Sequence, residues 1–347
     1  MLTILEKMEQ LSLYHSPSGY EDFMQAYLKG NLSGVADKIE VDVLGNVIAY
    51  KYARNRKTAK TFMLVAHMDE VALMVSYIET NGYLRVSKVG GIDVNIMRGH
   101  KVVILHNGKE IHGVIGSIPV HMLKDAPKKE IDFSDLWIDI GARSSKEASS
   151  LVEIGDYVLI DSEFQVLSNN CICSKACDNK AGVAVLWDVL EKISSNTIDY
   201  NVVAVFSVQE EVGLRGAKVV SHAIMPDICI AVDVAHASDY PNIDKHKYND
   251  ISLGNGPIIP LGSNFTLSVQ KKLMRLAQAN DISFQRLALP ASSGTDINAV
   301  QTNGNGCQTG LLSIPCRYMH SPVEVVNLQD IEFVSDLLSV YCMSFRD

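Results

Sequence analysis

Four short runs of almost entirely apolar residues set the fold class of this chain. They occupy residues 61–66, 201–208, 228–232 and 310–314. Strands of a parallel sheet have this composition because helices cover both of their faces. Residues 181–194 and 329–345 instead repeat apolar side chains with helical spacing. The alternation predicts an α/β protein in which helices flank the sheet.

Residues 75–166 show a different pattern. Short strand-like segments are expected there at residues 83–89, 102–106, 111–118 and 157–160. Turn-forming pairs such as Asn81-Gly82 and Asn107-Gly108 separate some of them, as in antiparallel hairpins. The region therefore predicts a small β domain, a barrel or a sandwich, inserted into a larger domain. We expect residues 1–74 and 167–347 to form the larger, catalytic domain.

The composition limits the possible partners. Of the 347 residues 47% are hydrophobic, and the formal net charge is −9. Nucleic-acid binding depends on Lys and Arg that neutralise phosphates, so this balance argues against it. No run reaches the roughly 18 apolar residues of a membrane helix. Seven cysteines do not form a disulfide scaffold in so long a chain. A cytoplasmic protein that binds neither nucleic acid nor membrane is expected.

Potential metal ligands follow each of the four apolar runs. They are His67, Asp69 and Glu70 after the first run, Glu210 and Glu211 after the second, Asp233 after the third, and His320 beyond the fourth. In open α/β sheets, the loops at the carboxyl ends of the strands converge on one edge. The sequence therefore predicts a single polar site at that edge.

Each of these residues also has an ordinary structural explanation. His67 can be a hydrogen-bonded core histidine, and His320, in an irregular loop, can be a surface residue. Asp69 points the same way as His67 in an extended segment, so its carboxylate can bond one ring nitrogen while the other binds metal. Asp178 precedes the helix at 181–194, where an Asp commonly caps the helix. As a metal ligand, Asp178 would supply a bridging carboxylate.

Glu210 and Glu211 are the most informative pair. Two adjacent carboxylates at the end of a buried strand repel each other and lose solvation, and a bound cation removes that cost. One Glu can then bind metal while the other acts as a general base. Asp178, Glu211 and Asp233 carry three negative charges, and a bound hydroxide would add a fourth. Two divalent cations would balance these four charges. Imidazole and carboxylate ligands suit zinc, cobalt or manganese.

Other residues invite weaker hypotheses. Residues 291–296 (ASSGTD) are either a substrate-pocket loop or a helix cap formed by Ser293, Thr295 or Asp296. His236 is a reserve candidate near the metals, and Arg317 is expected in a structural salt bridge. We expect buried or half-buried thiols at Cys171, Cys173 and Cys177. We also expect a solvated hairpin turn that contains Arg54, Arg56, Lys57 and Lys60. No role is expected for the remaining histidines, which are His15, His100, His106, His112, His121, His222 and His246.

The motifs AHMDEV, ACDNKAG, VQEEVGLRGA, VDVAHASD, SSGTD and PCRYMHSP together resemble metallopeptidase family forty-two, the glutamyl aminopeptidase-like or tetrahedral aminopeptidase family. The resemblance covers nearly the whole chain. It implies a zinc-exopeptidase-type α/β domain with a mixed sheet and an inserted β domain that contributes to dimerisation. It also implies dimer-built homo-oligomers, often hollow dodecamers that admit peptides.

The resemblance further implies a role for each site residue. His67, Asp178 and Asp233 would hold one metal, and Asp178, Glu211 and His320 the second. Glu210 would be the general base and acid, and Asp69 would orient His67. The chain departs from the family at Cys177 and Asn179, where members often carry Leu and Asp.

The expected function is therefore that of a dinuclear-metal aminopeptidase, with a metal-bridged hydroxide as the nucleophile and peptides with a free N-terminus as substrates. A related zinc-dependent N-acyl amino acid deacylase is the main alternative. A glycoside hydrolase fits poorly, because glycosidases hold two carboxyls about 5 Å or more apart on opposite sides of the bond. A non-catalytic binding or scaffold protein is the remaining alternative.

Overall fold

The computed structural model describes residues 1–122 and 131–345. Its strands, in chain order, are β1 (Lys38–Val41), β2 (Val47–Lys51), β3 (Thr61–His67), β4 (Ala72–Ile78), β5 (Leu84–Val89), β6 (Lys101–His106), β7 (Lys109–Ile115), β8 (Ile138–Asp139), β9 (Tyr157–Ile160), β10 (Gln165–Val166), β11 (Cys171–Ser174), β12 (Asn201–Ser207), β13 (Ile228–His236), β14 (Ile258–Gly262), β15 (Gln285–Leu289), β16 (Gln308–Arg317) and β17 (Glu324–Asn327).

The helices in these described ranges are α1 (Ile4–Ser12), α2 (Asp22–Leu32), α3 (Ser145–Ala148), α4 (Cys177–Ile193), α5 (Arg215–Ile224), α6 (Lys245–Tyr248), α7 (Leu267–Ala279), α8 (Asp296–Gln301) and α9 (Leu328–Met343). Short 3-10 turns occupy Val94–Ile96, Val120–Met122 and Phe133–Asp135. Within the two described ranges, every helix is too short or too polar to span a bilayer.

The large sheet is mixed, with a parallel centre. Its strand order is β1-β2-β12-β3-β13-β16-β17-β11-β10, and β14 and β15 branch from β16. β12, β3, β13 and β16 run parallel, whereas β2 and β17 pair antiparallel on either side of them. These four parallel strands contain the four apolar runs, so the α/β prediction is confirmed. Their carboxyl ends meet at one edge of the sheet.

Helices bury both faces of the parallel centre, which explains why its strands are continuously apolar. In β3, Phe62 and Leu64 pack into the core beneath α4 and α9, whereas Met63 and Val65 pack towards α5 and α8. Helix α4 matches the segment expected at 181–194 and begins a few residues earlier. Helix α9 matches the segment expected at 329–345.

Six strands between Ala72 and Ile160 form a closed barrel in the order β4-β5-β8-β7-β6-β9. The inserted β-barrel expected from the sequence is therefore present. The barrel has its own apolar core, which includes Leu84, Val102 and Val158. Its first strand starts at Ala72, a few residues before the expected boundary at residue 75.

Local turn chemistry accounts for one barrel hairpin. β6 and β7 are joined by Asn107 and Gly108, whose φ angles of 48° and 74° match the positive φ of a tight hairpin turn.

The basic turn at residues 54–60 is exposed, as expected, but the hairpin interpretation is wrong. β12 lies between β2 and β3, so those strands are not neighbours.

Candidate metal centre

The carboxyl edge of the large sheet brings the expected site residues together. His67 is the last residue of β3, and Glu210 and Glu211 follow β12. Asp233 was expected just after its strand, but it lies inside β13, which continues to His236. The pairing of β13 with β16 runs that far, so the partner strand sets the length of β13.

Asp178 and His320 reach the site from irregular backbone. Asp178 has φ −80° and ψ 101° near the start of α4, and the N-cap position belongs to Ala176. The helix-capping interpretation of Asp178 is therefore wrong. His320 lies in the loop after β16 with a left-handed φ of 60°. Neither segment has a regular backbone hydrogen-bond ladder to hold it. Contacts with other parts of the chain must therefore fix the positions of both side chains.

Asp178 lies between the two imidazoles. Its Oδ1 is 3.1 Å from His67 Nε2, and its Oδ2 is 3.1 Å from His320 Nε2. His67 Nε2 is also 3.6 Å from Asp233 Oδ1, and His320 Nε2 is 3.1 Å from Glu211 Oε1. The Asp178 carboxylate therefore faces one imidazole nitrogen with each of its oxygens. A ligand that bridges two metal ions requires this position.

Close packing of ligand atoms extends through the whole cluster. Atoms of His67, Asp178 and Glu211 lie within 4.8 Å of one another, and so do atoms of His67, Glu210 and Asp233. These groupings differ in part from the two ligand sets implied by the family resemblance. Glu210, expected as a base rather than a ligand, is as close to His67 and Asp233 as a ligand would be.

The cluster is buried, and its acids show the cost of that burial. Burial raises the pKa of Glu210 to about 10, and it also raises the pKa of Glu211 and Asp233. Burial would do the same to Asp178, but hydrogen bonds from His320 and His67 hold the pKa of Asp178 below its usual range. The acids thus depend on nearby positive charge to ionise.

The imidazoles supply positive charge to the acids. Burial alone would lower the pKa of His320, but hydrogen bonds to Asp178 and Glu211 raise it to about 11. The pKa of His67 is also raised well above its usual range, since the effect of Glu210 and Asp178 outweighs burial. Divalent cations would satisfy the same carboxylates, and this set of imidazole and carboxylate donors fits zinc, cobalt or manganese.

Asp69 contacts the site through both its backbone and its side chain. The backbone carbonyl of Asp69 lies 3.1 Å from His67 Nδ1, and the carboxylate Oδ1 of Asp69 lies 3.6 Å from the same nitrogen. A carbonyl can only accept, so Nδ1 donates and Nε2 is left to face the cluster. The Asp69 carboxylate accepts the N–H groups of Glu210 (3.0 Å) and Glu211 (3.2 Å) and the hydroxyl of Ser18 (2.6 Å). It therefore holds the turn that carries both glutamates.

Two supporting elements were not identified from the sequence. Glu324 is only 2% exposed, and its carboxylate accepts the backbone N–H groups of Asp178 and His320. The loop before α2 contributes Ser18 and Glu21, and Glu21 accepts the N–H of Gln209 at 3.2 Å. Neither segment carries a recognised ligand pattern. Their roles depend on contacts between distant parts of the chain.

The loop at 291–296 does not cap α8 in the expected way. Thr295 occupies the N-cap position without a side-chain cap bond, and the N–H of Ser293 donates to Asn264. Asp296 points inward, is 2% exposed, and accepts a hydrogen bond from Ser207 Oγ. The negative charge of Asp296 contributes, after burial, to the raised pKa of Glu210. Asp296 is therefore bonded to the last residue of β12, at the same edge of the sheet.

The remaining expectations have mixed outcomes. Arg317 forms the expected salt bridge, with two hydrogen bonds to Asp239 at 2.7 and 2.6 Å. His236 is exposed at the end of β13. His106, for which no role was expected, has Asp156 Oδ2 at 2.9 Å from its Nδ1. As expected, the three thiols near Asp178 are buried or half-buried, at Cys171, Cys173 and Cys177.

The barrel also touches the site, although its strands carry none of the candidate ligands. A Cβ atom added at Gly91 would lie 3.1 Å from His320 Nδ1. A Cβ added at Gly90 would lie 3.4 Å from the Cβ of Glu211 and 2.8 Å from Val71. The segment that follows β5 therefore lies directly against two candidate ligands.

Comparison with known proteins identifies the family. A family model described as M42 glutamyl aminopeptidase matches residues 45–337. The chain belongs to this family. Lysyl aminopeptidase of Pyrococcus furiosus is 34% identical over 331 residues, which cover 94% of this M42 chain and 93% of the relative. This M42 protein is therefore an aminopeptidase, an enzyme that hydrolyses peptide bonds.

Solved structures agree with the family. Aminopeptidase APDkam598 from the archaeon Desulfurococcus kamchatkensis has a TM-score of 0.92 and 35% identity, and the match covers 99% of this M42 chain and 95% of that chain. The TET1 peptidase of Pyrococcus horikoshii, described as assembling into a tetrahedron or a large octahedral shell, has a TM-score of 0.89 and 29% identity. That match covers 99% of this M42 chain and 100% of the TET1 chain.

Proposed function

We propose that this M42 enzyme uses two divalent metal ions to remove the N-terminal residue from peptides. The position of Asp178 carries the proposal, because its two carboxylate oxygens face His67 and His320 separately at 3.1 Å. His67, Asp178 and Asp233 would hold one ion, and Asp178, Glu211 and His320 would hold the other. The donor set favours Zn²⁺, with Co²⁺ or Mn²⁺ as alternatives.

Glu210 is the proposed general base and acid. Two bound ions would polarise the scissile carbonyl and lower the pKa of a water molecule. The Glu210 carboxylate lies beside His67 and Asp233, so it faces the same centre as the candidate ligands. It would accept the proton of the attacking water and then deliver that proton to the leaving amine.

Asp69 is proposed to act through its neighbours. Its carboxylate fixes the backbone of Glu210 and Glu211, and its carbonyl fixes the ring of His67. A ring nitrogen bonded in this way keeps one tautomer and one orientation, which favours metal binding by the other nitrogen. One residue thus orients a ligand and the base together.

We also propose that the enzyme works as a homo-oligomer built from dimers, with the β domain at residues 75–166 contributing to dimerisation. The similarity to the TET1 peptidase, whose description names closed shells, supports this. Peptides with a free N-terminus are the proposed substrates. Size-exclusion chromatography with light scattering tests the assembly, and a mass equal to one 38.1 kDa chain would contradict it.

The proposed function is tested by stripping the enzyme of metal and reloading it with Zn²⁺, Co²⁺ or Mn²⁺. Aminoacyl-p-nitroanilides with acidic, aliphatic and basic side chains are then compared with an N-acetylated amino acid. The panel is necessary because the relatives carry names that point to different residues, glutamyl and lysyl. Cleavage of the anilides with two ions bound per chain is expected. Cleavage of the N-acetylated compound alone would identify a deacylase instead.

Glu210→Gln tests the role of the base. It should retain both ions and lower kcat by about 10²- to 10⁴-fold, the usual contribution of general acid–base catalysis. Glu163→Gln is the matched control, because Glu163 is exposed and lies outside the cluster. Near-normal turnover by Glu210→Gln with full metal content would end this assignment.

A further inference from the structure

We infer that Glu324 is a positioning residue that sets the distance between Asp178 and His320, and through it the affinity of the site for metal. This inference rests on the proposed function. Glu324 Oε2 accepts the backbone N–H of Asp178 at 2.9 Å, and Oε1 accepts the backbone N–H of His320 at 2.7 Å. One side chain therefore ties together two candidate ligands that lie far apart in sequence.

The sheet topology explains why position 324 can do this. Glu324 is the first residue of β17, which pairs with both β11 and β16. β11 ends at Ser174 and leads into the segment that carries Asp178, whereas β16 ends at Arg317 and leads into the loop that carries His320. The start of β17 therefore lies between the two strands that lead to these ligands.

Both segments need such a tie because their backbones are irregular. Ala176 (φ 56°) precedes Asp178, and Tyr318 (φ 59°) and His320 (φ 60°) lie in the second segment. Left-handed backbone at a residue other than glycine costs about 1–2 kcal/mol, and it persists only where surrounding contacts enforce it. A buried carboxylate that accepts an N–H from each segment is a contact of this kind.

A carboxylate suits this task better than other acceptors. Both of its oxygens accept, whereas the side-chain amide of Gln offers only one accepting oxygen. Glu324 does not belong to either close-packed ligand group at the sheet edge. It touches the ligand backbones rather than the centre of the cluster.

Asp330 provides a matched control within the same chain. It is fully buried in the first turn of α9, and its carboxylate also accepts two backbone N–H groups, from Gly254 and Gly256, both at 2.7 Å. Its hydrogen bonds within the described ranges hold a loop that carries no candidate ligand. A purely structural effect of losing such a bridge should therefore be similar at both positions.

The experiment compares Glu324→Gln with Asp330→Asn in the full-length protein. The dissociation constant for Zn²⁺ is measured by chelator competition, and Tm is measured for the metal-free and metal-loaded forms. Both variants should lower the Tm of the metal-free protein. Glu324→Gln should weaken Zn²⁺ binding by about 10- to 100-fold, as is typical for partners of metal ligands, and Asp330→Asn should change it by less than twofold.

Two results would overturn the inference. One is a Glu324→Gln protein that binds Zn²⁺ within twofold of the wild type, and the other is an equal loss of affinity in Asp330→Asn. If Glu324→Gln does not fold, hydrogen exchange of backbone amides in the wild-type protein tests the inference instead. The amides of Asp178 and His320 should be protected in the metal-free protein, and rapid exchange of both would refute the tie. Failure of the wild type to bind two ions would instead contradict the proposed function.

Discussion

Within the described residues of the barrel, Asp156 is the one polar or charged side chain that is buried. The carboxyl edge of the large sheet, by contrast, buries His67, Asp69, Asp178, Glu210 and Asp233. The barrel core consists of side chains such as Leu84 and Val102. The two regions therefore reach their folded states by different physical means.

The difference concerns what each region needs in order to be stable. Apolar burial contributes about 25 cal/mol per Å² without any partner, so the apolar core of the barrel needs no ligand. Buried carboxylates are costly unless they are paired, and the acids at the sheet edge outnumber the imidazoles that face them. The sheet edge should therefore depend on bound cations, while the barrel should not.

Metal removal should have the largest effect and tests this contrast directly. A chelator should abolish activity. It should also remove about 4 kcal/mol of stability if the free ion was at 1,000 times its dissociation constant. Hydrogen exchange should accelerate in peptides that contain His67 and Asp233, and peptides from β4 to β9 should keep their protection. An equal loss of protection in the barrel peptides would show that the barrel depends on bound metal as much as the sheet edge does.

Truncation of a core leucine should separate the two regions. Leu84→Ala in the barrel and Leu64→Ala in β3 each remove a fully buried side chain, at a cost of about 2–5 kcal/mol in the free energy of unfolding. Only Leu64→Ala should also weaken Zn²⁺ binding, because β3 carries His67. The measurements are denaturant unfolding and chelator competition. Equal losses of metal affinity would show that the barrel core supports the site.

Ser18→Ala should produce an intermediate effect at the sheet edge. The Ser18 hydroxyl donates to the Asp69 carboxylate at 2.6 Å, and a bond to a charged group contributes about 1.5–3 kcal/mol. We expect kcat to fall about 10-fold or more at unchanged KM, since Glu210 loses its alignment. Ser339→Ala, a buried serine in α9 that donates to the Ser335 carbonyl, is the control. An equal loss of kcat in both variants would contradict this role.

Gly91→Ala should produce the smallest effect and probes the contact between the regions. The added Cβ would approach His320 Nδ1 to 3.1 Å, so the ring must shift by a few tenths of an ångström. Metal affinity should fall a few-fold with little change in Tm. Gly30→Ala, where the added Cβ meets open space, should leave affinity unchanged. Wild-type affinity in Gly91→Ala would show that the barrel segment does not constrain His320.

The fold and most of the site cluster could be predicted because their signals are local. The apolar runs reflect burial on both faces of β3, β12, β13 and β16, and Asn107-Gly108 reflects the φ angles of one turn. The rule that ligands gather at the carboxyl ends of parallel strands then predicted that residues as distant in sequence as His67 and Asp233 would meet, and His67 Nε2 lies 3.6 Å from Asp233 Oδ1.

The rest depends on tertiary contacts that leave no local pattern. Glu324 contacts Asp178 across 146 positions, and Ser18 contacts Asp69 across 51. The apolar run ends at Val232, which predicted that Asp233 follows its strand, but pairing with β16 extends β13 to His236. Asp156 reaches His106, 50 positions away, through the pairing of Leu105 with Tyr157.

The contact of Gly90 and Gly91 with the sheet edge has a mechanical consequence. The chain enters the barrel at Ala72, soon after Glu70, and these two glycines lie close to Glu211 and His320. A rotation of the barrel relative to the large sheet would displace the side chains of Glu211 and His320. Entry and exit of substrate should therefore rely on movements of individual loops and side chains rather than on rotation of the barrel against the sheet.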